Sequence, residues 1–457
     1  MQAYRRLSHN HALDYACTCA RELKKPLVIY EGLRLDYPWA SARHHRFILE
    51  GMRDNLTVAR ERGLVYWPFV QTPHDSGKGL VHRLAENACL VVTDDWPCFV
   101  VPAQTKALAG RTSRRVVAVD SNSVVPLANL GAAVAAAAHL RPRIQKAFGE
   151  AFKHRSRALP EFGTVGNTGL SAPFPTWDGD VESTLRSIVF RDVVPPVKGV
   201  VGGPAAAQKQ LRSFVEKRLS RYAEERSNPV PPENGAASGL SPYLHYGHLS
   251  IEQVAFEVLQ SAYGTCEFEM GKSGRREGFY GSNPNVNSFL DEALTWRDVG
   301  HHWLFHRLGD EQTLKTALPT WAFSTLEKHT QDERKYVYSA EQLETAKTHD
   351  PLWNAAQTEL VKTGTIHNYL RMLWGKKVLE WSGTPEEAYQ VLVHLNNKYA
   401  LDGRDPNSYT GILWCFGLFD RPWPPERPVF GNIRYMSSDN TAKKFKVGAY
   451  LDYVKSL

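Results

Sequence analysis

Short apolar runs alternate with mixed segments over the first 150 residues of the 457-residue chain. Four of these runs are rich in β-branched and aromatic residues, and they begin at Pro26, Val65, Leu90 and Val116. Runs of this length without polar alternation are typical of strands buried on both faces of a parallel sheet. Because helical patterns separate them, this part of the chain predicts an open α/β sheet.

The pattern changes after this region. Residues 171–204 are rich in proline and glycine, which indicates a linker, and helical patterns dominate beyond it. Asp350, which precedes a proline, predicts the start of one helix, and Gly364 predicts its end. Thr384 opens a capping box that predicts the start of another helix. The polar, glycine-rich segment 271–287 predicts a surface insertion.

The chain is too long for one hydrophobic core. We therefore predict an α/β domain over residues 1–170, an interdomain linker over 171–204 and an all-α domain over 205–457.

Composition narrows the class of protein further. The net charge of +7 permits a polyanionic partner without requiring one. The six cysteines lack zinc-site spacing, and Cys17 and Cys19 are too close to hold a metal with the usual geometry, so we expect no metal. No run of about 18 uncharged apolar residues occurs and no apolar secretory signal begins the chain, so we expect no membrane span. These features predict a soluble intracellular protein, cytoplasmic or nuclear.

Three tryptophans are the first candidates for chemistry. Trp374 and Trp381 are seven residues apart, which on a helix is two turns and about 10.5 Å, so they share one face. Trp353 lies upstream. Indole rings in a row can pass an electron in short steps, but aromatic residues at helical spacing more commonly pack in a core. The spacing alone leaves both interpretations open.

Two further clusters lie earlier in the helical half. Ser241, before a proline, could cap a helix whose N–H groups face an anion, although a simple N-cap is the more common role. Glu292 and Trp296 have the i,i+4 spacing of one helical face. A carboxylate beside an indole suits recognition of a base edge with stacking, or is a solvated glutamate beside a core tryptophan.

Two clusters lie near the end of the chain. Asn396 and the aspartates that follow it surround a tight turn, where they could hold a polar heterocycle or only form the turn. Trp414 precedes a proline-stiffened loop whose cations could contact phosphates while an aromatic ring stacks. A rigid surface loop is the alternative. The cations are Arg421, Arg427 and Arg434.

As a set, the strings LSPYLHYG, LDEALTWRD, AKTHDPLWNAAQ, RMLWGKKVLEW, LDGRDPN and RPVFGNIRYMS are highly specific. The chain resembles class II cyclobutane pyrimidine dimer photolyases of the cryptochrome/photolyase superfamily, most densely over residues 222–453. The resemblance implies a Rossmann-like α/β antenna domain and an all-α C-terminal domain that binds FAD in a U-shape. A second antenna chromophore, of deazaflavin or folate type, is compatible with it.

The resemblance also implies an activity. In that family, photoexcited reduced FAD passes an electron to a pyrimidine dimer that is flipped out of the duplex, the cyclobutane ring splits, and the electron returns. UV-damaged DNA would be the partner, and we expect a monomer. Flipping costs a few kcal/mol, and less for a damaged pair that stacks poorly.

Residue roles follow from the same resemblance. Trp381, Trp374 and Trp353 would form an electron chain that reduces the oxidised flavin, with Trp381 nearest to it. Asn396 would lie near flavin N5 and tune its reduced forms. The other residues assigned to FAD are the ion pair Arg371 and Asp402, and Tyr222, Leu240, Ser241, Arg297 and Asp405.

The resemblance assigns a further set to the damaged DNA. Glu292 would hold the dimer bases and steady their anion radical. The apolar wall on which the dimer stacks would be Trp296, Trp414 and Met372. The residues that bind the strand or fill the gap left by the flipped bases would be Arg226, Arg421, Trp423 and Arg434.

Three departures from the family qualify these expectations. The chain starts where the family has completed its first strand, so the opening strand of the sheet is expected to be missing. The segment 7–13 replaces an acidic, tryptophan-bearing version, and with the first departure this puts antenna binding in doubt. Gly239 and the pair Leu418 and Phe419 also differ, near the flavin and the DNA loop respectively.

Three other functions remain as alternatives. A cryptochrome-like photoreceptor would bind the same flavin without repair, but Glu292, Trp296 and Trp414 favour repair. Repair of the (6-4) photoproduct would depend on active-site histidines placed differently. A non-enzymatic nucleic-acid-binding helical protein would leave Asn396 and Arg371 without an evident reason.

Overall fold

A computed structural model describes residues 1–73, 75–160, 162, 169–308 and 313–457. The four predicted strands are confirmed. β1 (Val28–Leu33) pairs in parallel with β2 (Val65–Val70), and β3 (Leu90–Asp94) pairs in parallel with β4 (Arg115–Val119). In the described part of the chain these strands form two separate two-stranded sheets, so the single open sheet that the pattern predicted is not continuous.

Residues 1–4 connect the two sheets. The amino group of Met1 donates to the Tyr30 carbonyl of β1 at 2.7 Å. The backbone N–H groups of Gln2, Ala3 and Tyr4 all donate to the carboxylate of Asp94, at the end of β3, over 2.6, 2.7 and 3.0 Å. Hydrogen bonds from this segment therefore reach β1 on one side and β3 on the other.

Helices alternate with the strands, as the pattern predicted. They are α1 (His11–Leu23), α2 (Ala42–Arg62), α3 (Leu80–Glu86), α4 (Val101–Ala109) and α5 (Ala137–Lys153), with a 3-10 turn over Leu127–Leu130. The proline-rich segment that follows is not wholly irregular, because it contains α6 (Val181–Ser187).

The rest of the described chain is helical. Its helices are α7 (Pro204–Lys217), α8 (Tyr222–Glu225), α9 (Ser241–His245), α10 (Ile251–Tyr263), α11 (Pro284–Leu290), α12 (Arg297–Phe305), α13 (Leu314–Ala317), α14 (Thr320–Lys328), α15 (Ala340–Glu344), α16 (Pro351–Thr363), α17 (Asn368–Trp381), α18 (Pro385–Tyr399), α19 (Pro406–Cys415), α20 (Ser438–Lys444) and α21 (Gly448–Ser456). A 3-10 turn covers Leu219–Arg221, and a π-helix covers Asp291–Trp296.

The predicted helix boundaries around the tryptophans are confirmed. Asp350 caps α16 by accepting the N–H groups of Leu352 and Trp353, and Gly364 ends that helix in the left-handed conformation. Thr384 forms the capping box that starts α18.

Two local predictions are wrong. Ser241 is not an N-cap: Leu240 occupies that position, and the exposed Ser241 is the first residue of α9. The segment 271–287 is not simply a surface insertion, since Phe279 and Tyr280 are buried and both pack edge-on against Phe148 of α5. A short aromatic anchor inside a polar stretch has no periodicity that would reveal it.

The helical region contacts the α/β region through α2. Arg43 of α2 donates to the carbonyls of Tyr399 and Val361, both at 2.7 Å, at the ends of α18 and α16. These contacts fix the helices that carry the candidate site. Within the described ranges, no helix combines the length and apolar character that crossing a bilayer requires.

Candidate functional site

A cavity lies between α17, α18 and α19. Three of the residues singled out from the sequence meet there, Arg371 and Trp374 from α17 and Asn396 from α18. The other lining residues were not predicted from the sequence, and they are Gly375, Asn407, Ser408, Gly411, Ile412 and Cys415. Five of these recur at intervals of three or four along α19, and that periodicity could have identified the face.

Two features of the lining suit a planar polar ligand. A side chain added at Gly411 would meet nothing within 4 Å, so the backbone is open to the cavity there. Arg371 donates through Nη2 to Asp402 Oδ1 at 3.1 Å, and its buried Nε has no partner among the described residues. The predicted ion pair therefore forms, and it leaves one guanidinium N–H free to donate.

Asn396 is held in place by the turn that follows α18. Its Nδ2 donates to Asn397 Oδ1 at 3.3 Å, and that oxygen also accepts the Arg404 N–H at 2.8 Å. Gly403 lies so close that an added Cβ would come within 2.9 Å of the Asn396 carbonyl. The turn thus orients the buried amide at the cavity wall.

Asp405 caps the first turn of α19. Its carboxylate accepts the Asn407 N–H at 2.9 Å and contacts His245 Nδ1 at 3.2 Å. Burial alone would raise the pKa of Asp405, but the His245 hydrogen bond and the nearby His301 hold it well below the usual range. Asp405 is therefore ionised, and it fixes the helix that supplies one wall of the cavity.

The three tryptophans form one buried row. The Trp353 indole N–H donates to the Trp374 carbonyl at 3.0 Å, and the Trp374 indole N–H donates to Gln357 Oε1 at 2.9 Å. The Trp353 and Trp381 rings meet edge to face with centroids 5.6 Å apart. Trp374 lines the cavity and Trp381 does not, so Trp353 connects an inner ring to an outer one.

Two residues that the sequence analysis missed continue this row. The His349 ring lies 5.2 Å and the Tyr338 ring 5.5 Å from Trp381, measured between centroids. The Tyr338 hydroxyl and His349 Nδ1 share a hydrogen bond of 2.7 Å. Only the aromatic character of the segment 336–338 hints at this arrangement in the sequence.

Glu292 is paired with Arg226 at 2.8 Å, and the Arg226 guanidinium lies 5.7 Å from the centre of the Tyr222 ring. The helix here is a π-helix, a form often found at functional sites. Burial raises the pKa of Glu292, and Arg226 opposes that effect. Glu292 of the π-helix and Arg226, with Tyr222 four residues before it, thus form one cluster around an ion pair.

Trp296, at the end of the π-helix, stacks on Trp414 of α19. Their ring planes are 10° apart and their centroids 5.1 Å apart. Both indole N–H groups are buried without a partner among the described residues. Met372 is partly buried and packs against the neighbouring core. The two tryptophans therefore form a partly buried apolar stack with two unpaired indole N–H groups.

The loop after α19 presents a tryptophan between two arginines. The Arg421 and Arg434 guanidinium groups lie 4.6 and 4.2 Å from the centre of the Trp423 ring. Asp420 accepts from the Trp423 indole at 3.1 Å and from Arg434 at 3.0 Å. The cations therefore lie over the ring, and more than a third of Trp423 is exposed.

Besides Tyr222, Asp402 and Asp405, three more residues assigned to FAD lie outside the cavity lining. Arg297 donates to the Asn122 carbonyl at 3.0 Å and to Asp298 at 3.1 Å, which joins α12 to the end of the α/β region. Leu240 is buried in the core, and Ser241 is exposed. Among the described residues, no group of His, Cys, Asp or Glu is arranged to hold a metal ion.

Comparison with known proteins identifies relatives of the whole chain. It is 34% identical over 466 residues to the deoxyribodipyrimidine photo-lyase of Methanothermobacter thermautotrophicus, covering 100% of this chain and 94% of that protein. The enzyme of the same name from Oryza sativa subsp. japonica is 34% identical, with 99% and 86% covered, and that from Potorous tridactylus is 31% identical, with 98% and 79% covered. No model of a known protein family matches the chain.

Solved structures of photolyases superpose on this chain. A class III photolyase from Agrobacterium tumefaciens superposes with a TM-score of 0.69 at 17% identity, covering 99% of this chain and 84% of that one. An archaeal photolyase from Sulfolobus tokodaii gives 0.64 at 14% identity, covering 100% and 90%. The fold is therefore that of a photolyase.

At this level of identity and coverage, the chain belongs to the deoxyribodipyrimidine photo-lyase family. It is a light-dependent DNA-repair lyase, and nothing in the comparisons favours a photoreceptor without repair activity.

Proposed function

We propose that this enzyme is a class II photolyase that splits cyclobutane pyrimidine dimers in UV-damaged DNA, with FAD bound in the cavity between α17, α18 and α19. The observation that carries the proposal is the meeting of Arg371, Trp374 and Asn396 at that cavity. The sequence motifs assign each of them to flavin chemistry, and they come from two different helices.

The lining residues fit a flavin. When bound, reduced FAD supplies, on light excitation, the electron that opens the cyclobutane ring. Asn396 would hydrogen-bond the ring system, and Arg371, paired with Asp402, would place a positive charge beside it. Asp405 would act indirectly, by fixing the start of α19. Tyr222, Leu240, Ser241 and Arg297 remain proposed contacts of the rest of the cofactor.

The electron chain runs, in this proposal, from Trp374 through Trp353 to Trp381. This order differs from the expectation based on the family resemblance, in which Trp381 was nearest to the flavin and the places of Trp374 and Trp353 were open. The contact of Trp374 with the cavity and the central place of Trp353 support the new order.

The dimer would lie against the stacked pair Trp296 and Trp414, with Met372 beside it. Exposed aromatic faces stack on bases of any sequence, so this wall recognises the lesion and not its context. Glu292 would hydrogen-bond the base edges, and its ion pair with Arg226 would be exchanged for that contact. Of the two roles that the resemblance allows Arg421, Trp423 and Arg434, filling the space that the flipped bases leave in the duplex fits the loop better.

Residues 1–170 and 205–457 would form two domains joined by 171–204, in a monomer located in the cytoplasm or nucleus. A second chromophore of deazaflavin or folate type would bind in the first domain. The Sulfolobus tokodaii photolyase, whose fold this chain shares, contains two FAD molecules, which supports a second site without fixing its occupant.

Illumination of an oligonucleotide with one thymine dimer tests the function. We expect the dimer to disappear only in light and only with flavin-loaded, reduced enzyme, while an oligonucleotide with a (6-4) photoproduct stays unchanged. A colourless protein without flavin, or loss of the (6-4) lesion instead, would contradict the proposal. Light-driven flavin changes without any repair would point to a photoreceptor.

A further inference from the structure

The probe loop is the segment 420–434. Along one side it is held by α14 and the turn after that helix. The first contact involves Asp332, whose carboxylate accepts the Val429 N–H at 2.9 Å and His329 Nδ1 at 2.6 Å. A carboxylate with two donors is fixed in direction, so it fixes the backbone of the loop at Val429.

The second contact involves Thr325, on the last turn of α14. Its hydroxyl oxygen accepts the Asn432 N–H at 3.0 Å, and Thr325 is only 6% exposed. The preceding residue, Gly431, has φ of 52°, and a Cβ there would lie 2.1 Å from the same oxygen. Helix and loop backbone therefore approach as closely as glycine allows.

The third contact is ionic. Glu426 at the tip of the loop pairs with Lys328 Nζ at 2.6 Å and with His329 Nε2 at 3.3 Å, and it accepts from Asn432 Nδ2 at 3.0 Å. His329 thus lies between two carboxylates, Asp332 and Glu426. The pair with Lys328 is exposed and contributes little by itself, so the two part-buried hydrogen bonds to the loop backbone carry most of the anchoring.

These anchors connect to Trp423, which the proposed function places in the gap of the duplex. The Trp423 N–H donates to the Asn432 carbonyl at 2.9 Å, and Arg427 and Gly431 exchange backbone hydrogen bonds at 3.0 and 2.7 Å. Asn432 therefore connects Thr325 on one side with Trp423 on the other. Movement of Asn432 would move the tryptophan and the two arginines that flank it.

We propose that Thr325 and Asp332 are positioning residues, which hold the probe loop in the shape that enters a DNA duplex where the dimer has left the stack. The inference rests on the proposed function of Arg421, Trp423 and Arg434. A loop ordered before binding loses less conformational entropy on binding, and this increases affinity. Because only a duplex has a gap to fill, the effect is specific to duplex DNA, and a single strand needs no such probe.

A pair of substitutions at Thr325 tests this in the full-length, flavin-loaded enzyme in the dark. Thr325→Ala removes the acceptor of Asn432, and Thr325→Ser keeps it. We expect Thr325→Ala to raise the Kd for a dimer-containing duplex about tenfold, or about 1.4 kcal/mol, with less than about twofold change for the same dimer in a single strand. Thr325→Ser should bind both like the wild type. Fluorescence anisotropy measures both constants.

Two further variants test the second anchor and supply a control. Asp332→Ala should reproduce the duplex-specific loss, because the Val429 anchor is removed. Thr93→Ala is the matched control: Thr93 is also 6% exposed and loses one hydrogen bond, from Gln2 at 2.6 Å, but lies in the α/β region. It should leave both constants unchanged. The rate of flavin photoreduction should be the same in all of these enzymes.

Several outcomes would overturn the inference. If Thr325→Ala weakened binding to the duplex and to the single strand equally, the cause would be a general loss of structure. If Thr325→Ala and Thr325→Ser bound the duplex with the same Kd, a role for the hydroxyl would be excluded. A wild-type enzyme without preference for dimer-containing DNA would overturn the proposed function itself. Preference for the dimer with unchanged duplex binding in the variants would overturn only the positioning role.

Discussion

At the scale of single residues, Glu292 shows how position and environment define a role. Its carboxylate is largely removed from water, which raises its pKa, and Arg226 at 2.8 Å compensates with a positive charge. A base edge that replaced this guanidinium would have to supply donors of its own, because an unpaired buried carboxylate is costly. The site is therefore suited to a ligand with N–H donors.

Replacing Glu292 with alanine should lower the number of dimers repaired per absorbed photon several-fold, since the dimer loses its hydrogen-bonding partner. Glu292→Gln keeps the shape and a hydrogen-bonding group, and should have an intermediate yield. The measurement is the quantum yield of repair by prereduced enzyme, with the flavin absorbance as a control for cofactor binding. A yield equal to that of the wild type would place Glu292 outside the dimer site.

At the scale of elements, the order of the tryptophans depends on how α16 packs against α17. The N-cap Asp350 fixes the first turn of α16, which carries Trp353, and the Trp353 indole bonds the backbone of α17 at Trp374. Trp353 thereby contacts the backbone of Trp374 and the ring of Trp381, two residues that are two turns apart on the neighbouring helix. Sequence spacing could place Trp374 and Trp381 on one face, but not decide which end meets the cavity.

Trp374→Phe should therefore slow photoreduction of oxidised flavin at least tenfold, because phenylalanine is far harder to oxidise and the first step is lost. Trp381→Phe should slow it less, since the two inner rings remain. Repair by chemically reduced enzyme should stay nearly intact in both variants. Blue-light bleaching of the flavin band measures the rate.

The buried Trp303, which lies outside the row, supplies the control for these variants: Trp303→Phe should leave photoreduction unchanged. A stronger effect at Trp381 than at Trp374 would contradict the order proposed from the structure and restore the one suggested by resemblance. Loss of repair by the prereduced Trp374→Phe enzyme would indicate a structural role instead.

At the scale of the whole molecule, buried histidines lie where α2 of the α/β region meets the helical region. His248 Nδ1 accepts the Gly203 N–H at 2.9 Å. Its Nε2 lies so close to Gly51 of α2 that a Cβ added there would be 2.3 Å away. Burial lowers the pKa of His248 to about 3 and that of His45, on α2, to about 4. Both rings are therefore neutral in the folded protein at physiological pH.

These depressed pKa values predict a pH dependence of stability. Below about 6.5 the unfolded chain binds protons at these histidines while the folded protein does not, so the free energy of unfolding falls as the pH decreases from about 6.5 towards 4. For His248, the loss between pH 7.5 and 5 should be about 2 kcal/mol. Denaturant unfolding at the two pH values measures it.

The variant His248→Asn isolates this contribution, because asparagine can still accept the Gly203 N–H but does not titrate. It should be less stable than the wild type at pH 7.5, with a smaller further loss at pH 5. If the free energy of unfolding of the variant falls between pH 7.5 and pH 5 by as much as that of the wild type, His248 is not the group responsible. Glu252 raises the pKa of His11 in the folded state, so His11 contributes to the pH dependence of stability in the opposite direction. Because His11 is present in both proteins, this contribution cancels when the variant is compared with the wild type.

The sequence by itself determined much of this protein. Buried strands, helix caps at Asp350 and Thr384, and an ion pair between Arg371 and Asp402 follow from local patterns or family motifs, because caps and buried runs depend on neighbours in the chain. The family was also evident from the motifs. Each of these features depends on residues that are close in sequence or on a pattern specific enough to identify relatives.

Only the tertiary structure decided the rest. The face of α19 that lines the cavity, the place of Trp353 between its partners and the anchoring of the probe loop by Thr325 all depend on contacts between segments far apart in the chain. The same holds for Arg297, which bonds Asn122 of the α/β region. Such contacts are set by packing of whole elements, which no local periodicity encodes.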